Sequence, residues 1–207
     1  MSWVYNWTDG HPGWTQYGPE QSENAQAIAE RLASYRDVTI ERNAAIGIIA
    51  NMTHESWLNP GQWQLGSGYD PSAGFGLGQW TPSTKLSDWL GSTAQSDMAD
   101  GDNQIDYLLD SPGQWSTYYV DMNTGWSSYY SVHVPILATM ADYLTSTESI
   151  QDLTTAWMVY WERPAAATAG LAQRIAHAEY WDENIDYHGG GNVPIWLLCK
   201  AAQNWRM

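Results

Sequence analysis

The stretch that most limits what this chain can become is "AAIGIIANMTHESWLNPGQWQ", residues 44–64. Ala45, Ile48, Ile49 and Met52 recur at helical spacing and form one apolar stripe. Ahead of them Thr39 is an N-cap candidate, with Glu41 in the first turn. The spacing therefore predicts a helix that runs to about Glu55 or Ser56, with Asn59-Pro60-Gly61 as its stop signal. Immediately afterwards glycine recurs at 61, 66, 68, 74, 76 and 78, helical periodicity vanishes, and "FGLGQW" alternates like a strand. A small hairpin or short irregular sheet is expected over 61–81. A helix with a buried stripe thus hands over directly to a small β region, and one carboxylate, Glu55, stands at the join.

The rest of the chain reads as mostly helical. Ser22 looks like an N-cap for a helix carrying Ala25, Ile28, Leu32 and ending near Tyr35. Pro82 can open a third helix with Leu86, Trp89 and Leu90 on one face, and a fourth carries Ile105, Leu108 and Leu109. Three more are expected over about 134–145, 149–162 and 169–186. Residues 1–20 form an aromatic, turn-rich arm, 21–188 the main domain, and 189–207 a Gly-rich linker with a docking segment. Residues 111–132 are tyrosine-rich, a hairpin or long loop. The predicted class is α+β, helix-rich, with one small β region. At 207 residues the chain suits a single domain with a real core.

Charge and composition exclude several functions. The 23 acidic residues against 8 basic ones give a net charge of −15, which argues against nucleic acid and anionic membranes as partners. No run approaches the roughly 18 apolar residues of a membrane span, and the N-terminus does not read as a signal peptide. Cys199 is the only cysteine, so neither an intrachain disulfide nor a Cys-based zinc site is available. The 14 Trp and 13 Tyr against one Phe favour rings with a polar tip, suited to core filling or to sugar-stacking grooves.

Glu55 admits three readings. The metal reading needs His at 58 to complete His-Glu-x-x-His, and 58 is Leu. No metal and no cofactor are expected. Of the two remaining readings, a frayed helix end would expose Glu55 to water. Continuation of the stripe, three residues after Met52, would turn it inward, where burial and the helix dipole penalise an ionised carboxylate. The Gly-rich segment favours the inward reading. It supplies backbone that can approach a ligand closely, the hydrogen-bonding side chains of Gln79 and Thr81 around Trp80, and a second carboxylate, Asp70. An acid at a helix end facing a small sheet that carries a carboxylate is the layout glycoside cleavage needs.

Gly47, Ile48, Asn51, Met52, Glu55, Ser56, Asn59 and Pro60, followed by Gly74, Gly76, Gln79, Trp80 and Thr81, resemble the paired motifs of the phage tail lysozyme family, a branch of the lysozyme-like superfamily. "QIDYLL" (104–109) and "WERPAAATAGLAQRIAHAEYW" (161–181) are similar to its later helices. The resemblance covers about 24–187. It implies a lysozyme-like fold and a peptidoglycan muramidase with Glu55 as general acid. It also implies glycan strands as the substrate, other phage tail proteins as candidate partners, and a place on the virion. The family pattern does not fix the second carboxylate; Asp70 is assigned by its position. Trp57, Gln79, Trp80 and Thr81 are expected to bind substrate. Glu162 and Arg163 are read as an ion-paired corner, and Asn51 and Ser56 as supports of the helix end. A lytic transglycosylase using the same Glu55, and a non-catalytic glycan-binding module, remain as alternatives.

Overall fold

In this computed structural model the described residues are 3–35, 38–110, 131–135, 137–164 and 170–189. The expectations for 111–130, for 190–207 and for Cys199 lie outside them. In chain order the elements are β1 (Thr8–Asp9), α1 (Pro19–Ala33), α2 (Arg42–Ser56), β2 (Gln62–Trp63), α3 (Thr84–Leu90), α4 (Gln95–Met98) and α5 (Gly101–Leu109). Then follow α6 (Met140–Leu144), α7 (Ile150–Trp157), a π-helical turn (Met158–Glu162) and α8 (Leu171–Asn184). The mostly helical, α+β character read from the sequence holds, with a two-stranded sheet as its only named β element among the described residues.

The hub is α2. It is buried not along a stripe but on all sides: Ala44, Ala45, Ile46, Gly47, Ile48, Ile49, Ala50, Asn51, Met52 and Thr53 are all inaccessible or nearly so. Small residues at 44, 45, 47 and 50 let neighbours approach its backbone. Its principal partners are α8 and α7, with α1 and α6 also in contact. At Gly47 the approach is closest. A Cβ there would lie 2.6 Å from the Tyr143 hydroxyl and 3.2 Å from the backbone of Leu153 and Thr154.

The β region is a set of loops around short pairings. β1 runs parallel to β2, with Thr8 beside Gln62 and Asp9 beside Trp63. Single bridges join Trp63 to Phe75 and Phe75 to Trp80. The N-terminal arm is therefore built into the sheet. Asn24 and Asn59 staple it by paired bonds to the backbone of Val4 and Asn6. Buried Gln104 of α5 holds the loops from the far side, accepting from Leu77 N–H (2.8 Å) and donating to the Pro60 and Met98 carbonyls.

Several boundaries differ from the sequence reading for local reasons. α1 begins at Pro19, whose fixed φ suits a first helical position, rather than after Ser22. The helix expected over 134–145 is confined to Met140–Leu144, opened by a Thr139–Asp142 capping box. The helix expected over 149–162 is α-helical only to Trp157 and then widens into the π turn. No described helix is long and apolar enough to cross a membrane.

Gly47→Ala should lower stability by about 1–3 kcal/mol, because the added methyl meets backbone that cannot rotate away. A urea titration with a lower midpoint and unchanged slope is the expected result.

Candidate active site

Glu55 lies in the last turn of α2, which ends abruptly. Trp57 takes the left-handed conformation (φ 57°, ψ 25°), its N–H bonding Thr53 O, and Leu58 is left-handed as well. Two such residues in succession fold the chain back, so that the Gln62 side chain reaches the Glu55 carbonyl (3.3 Å). Ser56 secures the same corner by donating to both Met52 O and Leu77 O, each at 3.0 Å. This matches the supporting role read from the sequence.

The cleft so formed has a volume of about 510 Å³. Glu55, Trp57, Gln79 and Thr81 line it, together with Gln62 and Glu162. Of the sequence-assigned residues, two lie elsewhere. Trp80 is buried beneath the cleft, its ring edge-on to Tyr107 at 5.4 Å, and supports the wall without lining it. Asp70 sits on an exposed turn and is absent from the lining. Its carboxylate accepts the Ser72 N–H at 2.8 Å, which holds it below the usual carboxylate range. A turn-capping role accounts for Asp70 fully, and the structure does not bring it to Glu55.

What the structure does bring to Glu55 is a buried cation. Arg174, from α8, is 1% exposed and pairs through Nη2 with Glu55 Oε1. Its Nη1 donates to Asn51 Oδ1 at 2.7 Å, and Asn51 in turn donates to the Gly47 and Thr154 carbonyls. The sequence reading considered only burial and the helix dipole acting on Glu55; the structure adds this cation.

The second carboxyl in the cleft is Glu162. It stands at the end of the π turn, and its Oε1 accepts the Trp157 indole N–H at 3.0 Å. Burial pushes it up to about 8, and the negative charge of Glu55 adds to this against the opposing pull of Arg174. It forms no pair with Arg163, whose Nε donates to Trp161 O (3.4 Å). The ion-paired corner expected from the sequence is thus a carboxyl turned into the cleft.

The cleft therefore holds two carboxyls, Glu55 at the end of α2 and Glu162 at the end of the π turn, beside the glycine-rich β region. Over residues 23–185 the sequence matches the phage tail lysozyme family. The chain belongs to that family. Morphogenesis protein 1 of Bacillus phage B103 is a relative, 31% identical over 176 residues, or 85% of this chain and 43% of that protein. The chain thus spans less than half the length of that curated relative. Family membership makes this a phage protein of the lysozyme class.

The sequence reading did not place Glu162 or Gln62 in the cleft or Arg174 against Glu55, although Glu162 and Arg174 lie in the 161–181 segment that carries the resemblance and Gln62 closely follows its first motif. Gln62 is the most telling of these, since its Oε1 is buried with no donor among the described residues. Among the described residues no cluster of three or more His, Cys, Asp or Glu could hold a metal ion. A smaller pocket of about 260 Å³ adjoins the cleft, lined by Gln16, Gln21, Thr53, His54, Trp57, Gln173 and His177. Burial holds His54 down, and lowers His177 to about 4 with help from the charges of His54 and Arg174. His177 Nδ1 meets the Tyr17 hydroxyl at 2.8 Å.

His177 supplies a pH test of this packing. In the unfolded chain it protonates near 6.5, but in the folded chain only near 4. Between these values the unfolded state binds more protons, so this contribution to stability is lost as pH falls from about 6.5 to 4. Urea midpoints of the unaltered protein should drop more over that interval than those of His177→Gln.

Proposed function

We propose that the chain is a peptidoglycan muramidase that cleaves the β-1,4 bond between N-acetylmuramic acid and N-acetylglucosamine, with Glu55 as general acid. The observation that carries this reading is Glu55 itself: a carboxyl at the end of the core helix, fixed by a buried guanidinium, in a cleft shared with Glu162 and otherwise lined largely by uncharged polar groups, among them the amides of Gln62 and Gln79, the Thr81 hydroxyl and the Trp57 indole. Such a lining suits a neutral sugar chain. Trp57 offers an apolar face for a sugar ring. Gln62 offers an acceptor, and Thr81 a hydroxyl at the exposed rim. The amide group of Gln79 is engaged with the Gln62 and Gly76 carbonyls, so its part is to hold the wall.

In the proposed step a proton passes to the glycosidic oxygen as the bond to the sugar C1 breaks, leaving an oxocarbenium-like centre that a carboxylate stabilises and water captures. A position on the phage tail, among other tail proteins, where the activity opens the host wall, is suggested by the family's name and forms part of the proposal.

Two measurements test it. Mass spectrometry of digested peptidoglycan should reveal glycosidic cuts ending in reducing N-acetylmuramic acid. An anhydro end would instead assign the attack to the substrate's own hydroxyl, as in a transglycosylase. Glu55→Gln keeps an oxygen acceptor for Arg174 and should reduce lysis by on the order of 10²–10⁴-fold while binding to insoluble peptidoglycan persists. Undiminished lysis by this variant removes Glu55 from the chemistry.

A further inference from the structure

Glu162 is the cleft group that the sequence motifs left without a chemical role. We infer that Glu162 is the second catalytic carboxyl of the reaction, sharing one proton with Glu55 and standing as the carboxylate opposite the cationic sugar once that proton has been transferred. This rests on the muramidase reading above.

Three observations meet at this residue. The first is position: Glu162 and Glu55 line the same cleft, from the π turn and from the end of α2. The second is charge balance. The groups around Glu162 are Glu55, Arg174 and Arg163, with His54 and His11 also lining the cleft. Arg174 is fully buried and already bound to Glu55, so it compensates one carboxylate, not two. The side chain of Arg163 is directed to the Trp161 carbonyl. Two carboxyls facing one compensated site cannot both ionise readily. The third is the rise of Glu162 to about 8, which leaves a proton on that carboxyl, beside Glu55, at neutral pH.

The chemistry then balances. The pair's proton moves to the glycosidic oxygen, and the electrons of the C1–O bond leave with that oxygen. Two carboxylates and Arg174 remain, a net negative charge beside a developing cation. Water adds to C1, and its proton returns to the pair. Asp70, on its exposed turn, is not required.

Glu162→Gln discriminates between this role and a structural one. Glutamine has the size of a neutral carboxyl and keeps an oxygen to accept the Trp157 N–H, so a group needed only for packing would tolerate the change. The expected result is a loss of on the order of 10²–10⁴-fold in kcat, with peptidoglycan binding and melting temperature retained. The fall in kcat/KM above about pH 8 expected for the unaltered protein should be absent from the residual activity. A Glu162→Gln protein within about threefold of the unaltered rate, with the same alkaline fall, overturns the assignment. Carbon-13 titration of the glutamate carboxyls in the unaltered chain gives an answer independent of substrate and of the variant's folding. One resonance titrating near 8 supports the shared proton, whereas every carboxyl titrating below about pH 6 overturns it. Absence of any glycosidic cut by the unaltered protein would sink the muramidase reading by itself, and the titration would still decide whether the pair holds a proton.

Discussion

The guanidinium of Arg174 is the contact on which the rest of the molecule turns. It is a full charge almost wholly removed from water, a placement that costs several kcal/mol unless partners replace the lost hydration. Those partners are Asn51 and Glu55, both on α2. Asn51 is itself committed, donating to Gly47 within α2 and to Thr154 on α7. One cation therefore fixes three helices at a single point, and α2 packs chiefly against the same two, α7 and α8. The carboxylate that completes this arrangement also faces the cleft. Under the proposed function stability and chemistry meet in one ion pair, and Glu55 cannot drift toward solvent without leaving a buried charge uncompensated.

Opposite this rigid corner the cleft wall is made of loops, and it is held by side chains acting on backbone. Gln104, Ser56 and Gln79 bond carbonyls and amides of the 60–77 segment, while Asp9 of the arm accepts the Ser67 and Gly68 N–H groups. The glycines allow these approaches. At Gly76 a Cβ would lie 2.5 Å from the Gln104 side chain, and φ is +78°. A regular sheet would satisfy its own backbone and present alternating faces. This segment instead spends polar side chains on its backbone and bends around the end of α2.

Local patterns were legible in the sequence and long-range ones were not. The end of α2, the loss of regularity after Gly61 and the inward place of Glu55 follow from neighbours within a turn or two, whereas α2 begins at Arg42 with Glu41 as its N-cap and not after Thr39. The stripe reading understated α2, because Ala and Gly on its other faces signal close packing as readily as exposure. Asp70 misled because a carboxylate in "GSGYDPSAG" has the composition of a site and of an Asx turn alike, and only three dimensions separate them. Arg174 stands 119 residues from Glu55, and nothing around it in "LAQRIAHAEYW" marks it as buried. Glu162 was hidden for a subtler reason. Five residues separate it from Trp157, a spacing that diverges on an α-helix but aligns on a π turn, and the Arg163 N–H to Met158 O bond (2.8 Å) closes that wider ring. A helical wheel drawn at 3.6 residues per turn sends Glu162 away from its actual neighbour.

The charge of −15 takes on a different meaning beside this site. For attraction to an anionic wall it has the wrong sign. Within the cleft, however, the summed field of an acidic molecule favours a bound proton and favours a cation. Both are what the proposed reaction requires: a carboxyl pair that keeps its proton at neutral pH, then a positively charged sugar. The nearby histidines do not offset this, since His177 is lowered to about 4 and His54 is shifted the same way. Beyond about 8–10 Å salt screens exposed charges, so distant acids add little, and the effect concentrates in Glu55, Glu162 and Arg174. With Arg174 already committed to Glu55, the acidity of the surroundings reinforces the proposed proton on the pair, and in the proposed reaction recognition of the strand would fall to the uncharged groups Gln62, Trp57 and Thr81.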